Sequence, residues 1–412
     1  MTAVPSDCAA DRVQMARALE LAGRGLYTTH PNPRVGCVVA RDGQIIGEGW
    51  HVRAGEPHAE VLALRGAGSQ ARGATVYVTL EPCSHTGRTP PCADALIAAG
   101  VAHVVCATVD PNPRVAGAGI KRLAGAGIDV TVGILEEQAR ALNPGFFSRF
   151  ERGRPFIRLK LAMSLDARTS VAGPERTAPA GGKSWITDDA SRADVQTWRA
   201  RSSAVLTGAG TVREDDPRLD VRLAYGPWVR QPLRVVLDPD LSCPPDSKIF
   251  GDENALIFAA LGAPELREVQ GGAAQGSRAQ GSGAQGGREA QGHEVQARSA
   301  PGTVREPVAG VRIERVPRAG RGLDLAAVIE RLTALEVNEL LVECGPRLAA
   351  AFLEADLVDE LILYVAPHFL GMDAAPLAAL LAAGAAGLPR FEFRDLRLLE
   401  NDLRLVLVPQ RT

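Results

Sequence analysis

The sequence predicts an α/β fold built as two successive layered units, and three observations carry this prediction. The chain has 412 residues, which favours two to three domains because one domain holds about 100–200 residues. Hydrophobic residues make up 46% and charged residues 23% of the chain, close to the average of globular proteins. Apolar strand-like runs alternate with Ala-rich helical runs in both halves, as in folds that pack helices against a sheet.

The first 150 residues predict a five-stranded sheet flanked by helices. The dipeptide Asp42-Gly43 predicts a tight turn between two of the strands. We expect helices over Asp11–Gly23, His58–Leu64 and Cys92–Ala99, strands over Val35–Ala40, Gln44–Gly49, Ala74–Leu80 and His103–Val109, and a further helix–strand pair that ends near Val132.

A domain boundary is predicted where turn-forming residues accumulate, between Asn143 and Pro155. We therefore expect domains at 1–149 and 150–412. The second half repeats the alternation, with helices over Asp189–Arg201, Leu323–Leu335 and Leu348–Glu354 and strands over Phe156–Met163, Ala204–Thr207, Arg234–Asp238, Ala255–Ala260, Glu339–Glu343, Leu361–Val365 and Leu403–Val408.

One segment of the second half lacks the residues that build a core. Between Gly271 and Gly292 every residue is Gly, Gln, Ala, Ser, Arg or Glu, so burial cannot offset the entropy of ordering it. We expect a disordered surface insertion over about 262–310.

Charge and hydropathy exclude several classes of protein. Lys+Arg 46 against Asp+Glu 48 gives a net charge of −2, which offers no basic field for nucleic acid. No apolar run reaches the roughly 18 residues that a membrane span needs, and Asp7 interrupts any signal-peptide core. The seven cysteines are an odd number, which favours reduced thiols or metal ligands over a disulfide framework. We expect a cytoplasmic protein without nucleic-acid or membrane partners.

Three short motifs in the first half predict a zinc site. They contain His58, Cys83 and Cys92, three ligands that zinc prefers, and such a set leaves a fourth tetrahedral position for water. Glu60 lies two residues after His58, where a carboxylate that is not a ligand can transfer protons. The order matches the H-x-E and P-C motifs of zinc deaminases, although eight residues separate the two cysteines. A closed structural site with His85 as fourth ligand is the alternative.

The motifs of the first half resemble those of a known family. The strings Thr29-His30-Pro31-Asn32-Pro33, Gly55 to Glu60 and Thr79 to Cys92 are similar to the bifunctional deaminase/reductase of riboflavin biosynthesis, whose deaminase motif also has the long cysteine spacing. The resemblance implies zinc and a 2,5-diamino-6-(phosphoribosylamino)pyrimidinone substrate. It also implies that four further residues contact this substrate: Asn32, His51, His85 and Arg88.

The second half lacks a G-x-G-x-x-G motif after a strand, so an ordinary Rossmann site is not predicted. Its strings Lys160 to Asp166, Trp185-Ile186-Thr187, Asp215-Asp216-Pro217 and Val342 to Pro346 resemble the reductase half of the same family. The resemblance implies an α/β protein with an N-terminal cytidine-deaminase-like three-layer domain and a C-terminal dihydrofolate-reductase-like domain that uses NADPH.

The resemblance also implies the reductase site residues. Cofactor contacts are expected from Ala162, Trp185, Thr211, Asp215, Gly345, Pro346 and Arg347. Substrate contacts are expected by the same resemblance from Arg199, Leu219, Arg222 and Glu343. Lys160 and Lys183 are added to this set because their charge suits a phosphorylated substrate. Lys183 departs from the family pattern, which has a serine at this position; here the serine follows as Ser184. Either Ser184 takes the role of that serine through a shifted loop, or Lys183 makes a charged contact with the substrate phosphate.

The leading hypothesis is therefore an enzyme that deaminates a phosphoribosyl-pyrimidine and then reduces its ribosyl group with NADPH, giving a ribitylamino product. The family implies a homo-oligomer. Two alternatives stay open: a single-activity deaminase of a nucleoside or tRNA base with a C-terminal recognition module, and a non-enzymatic scaffold with structural zinc.

Overall fold

The computed structural model describes residues 9–84, 91–170, 185–222, 229–263, 311–380 and 390–410. Two sheets organise these residues, one of five strands and one of nine. The longest helix in the described ranges has 15 residues, and none of these helices is long and apolar enough to cross a bilayer.

The first sheet has the strand order β2-β1-β3-β4-β5. Strand β1 pairs antiparallel with β2 and β3, whereas β3, β4 and β5 are parallel. Its elements are α1 (Ala9–Gly23), β1 (Gly36–Arg41), β2 (Gln44–Trp50), α2 (Ala59–Ala67), a 3₁₀ turn (Gly68–Ala71), β3 (Thr75–Val78), α3 (Cys92–Ala99), β4 (His103–Cys106), α4 (Ala118–Gly125), β5 (Asp129–Val132), α5 (Glu136–Leu142) and α6 (Pro144–Arg152). The predicted five-stranded sheet and its helices are confirmed.

Helices cover both faces of this sheet, which makes three layers. Helices α1 and α5 share one apolar cluster with the sheet, and α2, α3 and α4 share the other. Glycines on β2 let α2 lie close to the strand: a Cβ on Gly47 would be 2.2 Å from the Ala63 carbonyl oxygen, and one on Gly49 would be 2.4 Å from that of Ala59. This close packing fixes the start of α2, where His58 and Glu60 lie.

Helix α6 corrects the reading of the 143–155 region as turns alone. Pro144 occupies the first turn of the helix, where its missing N–H costs nothing and its φ angle suits a helix. Phe146 and Phe147 pack against Leu80, which follows β3. On the other side, a Cβ on Gly145 would be 2.4 Å from the carbonyl oxygen of Asn338, whose neighbour Glu339 opens a strand of the second sheet. The helix therefore bridges the two sheets.

The second sheet has the strand order β11-β10-β9-β8-β14-β6-β15-β18-β17. The first seven strands in this order are parallel, and β18 and β17 extend the sheet antiparallel. Its strands are β6 (Phe156–Ser164), β8 (Ala204–Gly208), β9 (Leu233–Leu237), β10 (Ala255–Ala260), β11 (Arg312–Val316), β14 (Glu339–Glu343), β15 (Glu360–Ala366), β17 (Phe391–Leu399) and β18 (Asp402–Pro409). Two short pairs lie outside it, β7 (Arg168–Ser170) with β16 (Ala375–Pro376) and β12 (Arg318–Ala319) with β13 (Gly322–Leu323).

Helices cover this sheet on both faces as well. They are α7 (Asp189–Arg201), α8 (Ala209–Asp215), α9 (Leu325–Ala334) and α10 (Pro346–Glu354), with a 3₁₀ turn at Lys248–Phe250. Helices α9 and α10 pack on one face, and α7 and α8 pack on the other. The carboxyl ends of β8 and β14 meet beside α8 and α10, the place where open parallel sheets bind ligands.

All seven strands and all three helices predicted for the second half are confirmed within a few residues at their ends. Strands β11 and β17 and helix α8 were not predicted. Of the insertion predicted over about 262–310, residues 264–310 lie outside the described residues.

Candidate active sites

The three predicted zinc ligands lie at element ends of the first sheet. His58 is the N-cap of α2 and Cys92 is the first residue of α3. Cys83 follows β3, and its carbonyl oxygen accepts from the Ala93 N–H at 3.1 Å. Two helix starts and one strand end therefore bring distant parts of the chain to one point.

The geometry of these ligands fits a zinc ion. The His58 Nδ1 atom lies 3.2 Å from Cys92 Sγ and 3.7 Å from Cys83 Sγ, and all three ligand atoms lie within 4.8 Å of one another. Tetrahedral zinc with Zn–N of about 2.1 Å and Zn–S of about 2.3 Å needs ligand separations of about 3.6–3.8 Å. A hydrogen bond between the two thiols lowers the pKa of Cys83 and raises that of Cys92, so the pair carries one thiolate, the form that binds metals, already without an ion.

Glu60 lies beside this cluster in a dry environment. Its side chain is 3% exposed, and burial raises its pKa although His58 opposes the shift. A carboxyl group with a raised pKa is suited to accept and return a proton near neutral pH. Zinc itself would favour the ionised form of this carboxyl group.

Asn32 and His51 form a polar wall next to the zinc ligands. The Asn32 Nδ2 atom lies 3.0 Å from His51 Nε2, and the His51 ring meets the His58 ring edge to face at 5.2 Å. Burial lowers the pKa of His51 to about 4, so its imidazole is neutral at neutral pH. His85 and Arg88, predicted from the resemblance to complete this pocket, lie outside the described residues.

Glu81 holds the cysteine loop, and the sequence interpretation did not single it out. Its buried carboxylate accepts four backbone N–H groups, from Asp110, Gly117, Gly119 and Ile120, at 2.9–3.2 Å. This network ties the strand end before Cys83 to the loop after β4. The sequence signal that could have identified Glu81 is an acidic residue placed just after a buried apolar strand.

A second group of charged residues lies in the nine-stranded sheet. Glu343 on β14 accepts from Arg199 on α7 in a two-pronged ion pair, with Nε–Oε1 at 2.6 Å and Nη2–Oε2 at 2.9 Å. Lys160 on β6 is paired in register with Glu343, and its Nζ atom lies 5.6 Å from the Tyr364 ring centre. Burial alone raises the pKa of Glu343, but Arg199 and Lys160 outweigh it and lower the pKa.

Two further predicted substrate residues lie near this pair. Arg222 is about half exposed and binds Asp220 at 2.9 Å, and the Asp220 carbonyl oxygen accepts from Arg199 at 3.2 Å. The Leu219 side chain is 3% exposed and packs in the core. The structure therefore joins Arg199, Arg222 and Glu343 through Asp220, a residue that the sequence interpretation missed.

The predicted cofactor residues lie at the carboxyl ends of β8 and β14. Gly345 is the N-cap of α10 in extended backbone, followed by Pro346 and an exposed Arg347. A Cβ on Gly345 would meet nothing nearer than Thr211 Oγ1, at 3.9 Å, so the helix start is open on that side. Free N–H groups at such a helix start suit a phosphate, and the residues present fit a phosphate-bearing cofactor.

The remaining cofactor predictions are more dispersed. Ala162 on β6 is paired with Tyr364 in register, and Asp215 is the exposed last residue of α8. The Trp185 side chain is 60% exposed, with the Arg192 guanidinium 5.1 Å from its ring centre. Lys183 lies outside the described residues, so its predicted substrate contact stays a prediction.

Two family models match the chain. The model of the cytidine and deoxycytidylate deaminase zinc-binding region matches residues 9–108, which include the zinc ligands. The model of the RibD C-terminal domain matches residues 155–405, which include the charged group around Glu343.

Curated relatives match over nearly the whole chain. The riboflavin biosynthesis protein RibD of Escherichia coli strain K12 is 45% identical over 409 residues, covering 97% of this chain and 99% of that protein. The protein of the same name from Haemophilus influenzae is 40% identical over 411 residues, covering 97% and 98%.

Solved structures show the same relationship. Acinetobacter baumannii RibD superposes with a TM-score of 0.81 at 40% identity, covering 98% of this chain and 99% of that one. A Thermotoga maritima protein described as a diaminohydroxyphosphoribosylaminopyrimidine deaminase/5-amino-6-(5-phosphoribosylamino)uracil reductase superposes with a TM-score of 0.74 at 30% identity, covering 97% and 99%. The predicted family and its α/β fold are confirmed, and the chain belongs to the RibD family of riboflavin biosynthesis proteins.

Proposed function

We propose that the chain catalyses two consecutive steps of riboflavin biosynthesis. The first is hydrolytic deamination of 2,5-diamino-6-(5-phosphoribosylamino)pyrimidin-4-one, and the second is NADPH-dependent reduction that gives 5-amino-6-(5-phosphoribitylamino)uracil. The observation that carries the proposal is the presence of two separate sites in one family member: the ligand cluster of His58, Cys83 and Cys92, and the charged group around Glu343. We assign the deaminase to residues 1–149 and the reductase to residues 150–412.

In the deaminase, His58, Cys83 and Cys92 would hold zinc, which supplies Lewis-acid activation of water. The Glu60 carboxylate takes a proton from the attacking water and returns it to the exocyclic nitrogen that leaves as ammonia. Asn32 and His51, joined at 3.0 Å, bind the pyrimidine through its polar edge. His85 and Arg88 are proposed to extend this contact, with Arg88 on the phosphate.

In the reductase, bound NADPH would supply the hydride that reduces C1′ of the ring-opened ribosyl group. Gly345, Pro346 and Arg347 are proposed to receive a cofactor phosphate at the start of α10; Ala162, Trp185, Thr211 and Asp215 would line the rest of the cofactor site. Arg199 and Glu343 hold each other in place. Lys160, Lys183, Arg199, Arg222 and Glu343 are proposed to contact the substrate, with the cations directed to its charged groups. Leu219, whose side chain is buried, would contact it through its backbone.

A coupled assay tests this function. In a reaction started with the diaminopyrimidinone substrate and zinc-loaded protein, we expect ammonia release to be matched by NADPH oxidation in equal amounts. Ammonia without NADPH oxidation would contradict the reductase assignment. If folded, zinc-loaded protein gives neither signal, the substrate assignment fails, and a nucleoside or tRNA deaminase becomes the candidate to test.

We also propose that the protein is a homo-oligomer. Strand β17 is at the edge of the sheet, and it carries Phe393, Leu396 and Leu398 opposite leucines of β18. These three side chains are 70%, 61% and 68% exposed. Apolar side chains clustered on an exposed sheet face are typical of protein–protein contacts.

The oligomer proposal predicts that Leu398→Glu lowers the molecular mass measured by light scattering, because it places a charge in the apolar contact. Leu261→Glu is the matched control, since Leu261 is 60% exposed outside this face. A wild-type mass equal to that of one chain, or an unchanged mass in Leu398→Glu, would contradict the proposed contact.

A cytoplasmic location is the remaining proposal. It is supported by the six free cysteines among the described residues, because thiols stay reduced in the cytosol. Fractionation of cells that express the chain tests it, and recovery with secreted or periplasmic protein would contradict it.

A further inference from the structure

The segment from His30 to Arg34 contacts both sheets at once. On one side, Asn32 faces His51 in the deaminase pocket, with Nδ2 and Nε2 3.0 Å apart. The prolines at 31 and 33 limit the backbone freedom of Asn32. The opposite side of the segment lies against the second sheet, at the N-terminal ends of β8 and β14.

Two neutral hydrogen bonds join the segment to those strand ends. The Asn338 Nδ2 amide donates to the Pro31 carbonyl oxygen at 2.8 Å. The Ser203 hydroxyl lies 2.9 Å from His30 Nδ1 and accepts from the backbone N–H groups of Asn338 and Glu339, each at 3.1 Å. Because the Ser203 oxygen already accepts these two N–H groups, its own hydrogen is left to donate to His30 Nδ1. Burial lowers the pKa of His30 to about 3, so the ring is neutral and can accept this hydrogen bond.

A buried ion pair reinforces the same junction. Arg34 donates from Nη1 to Glu339 Oε1 at 2.6 Å, and the two side chains are 9% and 3% exposed. Burial alone raises the pKa of Glu339, but Arg34, Arg158 and Arg201 lower it well below its usual range. The carboxylate therefore stays charged and holds Arg34 from the reductase side.

We propose that Ser203, Asn338 and Glu339, at the N-terminal ends of β8 and β14, position the Asn32 loop and so set the affinity of the deaminase pocket for its substrate. The inference rests on the proposed function. Its physical basis is that a side chain binds a ligand more tightly when its backbone is already held in the bound geometry. The reductase domain then contributes positioning residues to the deaminase. Ser203, Asn338 and Glu339 act on the pocket through the Asn32 loop and not through the zinc ligands.

The variant Asn338→Ala tests the inference, because it removes the amide that holds the Pro31 carbonyl. We expect the KM of deamination to rise about tenfold, equal to about 1.4 kcal/mol of binding, with kcat and zinc content unchanged. The KM of the reductase for pre-deaminated substrate is expected to stay the same. In addition, amide hydrogen exchange in a peptide covering residues 26–34 is expected to become faster.

Asn254→Ala is the matched control. Its Nδ2 amide also donates to a proline carbonyl, that of Pro232 at 2.9 Å, but both residues belong to the reductase domain, just before β10 and β9. We expect this variant to leave the deaminase KM and the exchange of residues 26–34 unchanged.

A double variant separates positioning from general destabilisation. If Asn338 acts through Asn32, adding Asn338→Ala to Asn32→Ala changes the deaminase KM no further. An unchanged KM in Asn338→Ala, or an equal loss of both activities, would overturn the inference. If wild-type protein releases no ammonia, the proposed function fails, and unchanged exchange in Asn338→Ala would still overturn the positioning.

Discussion

Replacing Glu60 with glutamine is expected to reduce ammonia release by a factor of about 10²–10⁴, the usual contribution of a general acid–base group. Glutamine keeps the size of the buried side chain but cannot take up the proton of the attacking water. Zinc content is expected to stay at the wild-type level, because His58, Cys83 and Cys92 supply the ligand atoms. The measurements are ammonia release, zinc per chain, and NADPH oxidation with pre-deaminated substrate.

The reductase reaction serves as the internal control for this variant. Its site belongs to a different sheet, so NADPH oxidation with pre-deaminated substrate is expected to be unchanged. Glu48→Gln is the matched control for the chemistry: Glu48 on β2 binds Arg17 at 2.7 Å on the surface, and its loss is expected to leave ammonia release unchanged. Loss of both activities in Glu60→Gln would contradict two independent sites.

The zinc cluster could be predicted from the sequence because its information is local. Each ligand lies in a short motif at a helix start or strand end, and the ligand type alone indicates the metal. The buried strands were predictable for a similar reason, since a continuous apolar run such as Ala255–Ala260, fully buried in the structure, specifies its own environment.

The elements that escaped prediction depend on distant partners. Strand β17 lacks a regular alternation because a register shift lies between Phe393 and Asp395, and such a bulge breaks the period-two pattern. The Asn338 amide reaches the Pro31 carbonyl across 307 positions of the chain. The ion pair of Arg199 with Glu343 spans 144 positions. The sequence around either residue therefore does not indicate that its side chain is buried in an ion pair.

Replacing Lys160 with methionine is expected to lower kcat/KM of the reductase about a hundredfold, while ammonia release is unchanged. The hydrogen bond of a charged donor contributes about 1.5–3 kcal/mol, and a hundredfold loss corresponds to about 2.7 kcal/mol. Burial lowers the pKa of the Lys160 amine although Glu343 opposes the shift. Among the described residues no carboxylate lies within ion-pair distance of Lys160, which leaves its amine for a substrate group.

Lys160→Met tests the reductase site more directly than a substitution of Glu343 does. Glu343→Gln would leave the Arg199 guanidinium buried without its carboxylate, and breaking a buried pair costs about 3–5 kcal/mol of folding stability, so lost activity would not separate chemistry from folding. Lys160→Met keeps that pair intact and preserves the length of the side chain. Lys121→Met, at an exposed position of α4, is the control for loss of a lysine charge. A normal reductase rate in Lys160→Met would remove Lys160 from the substrate site.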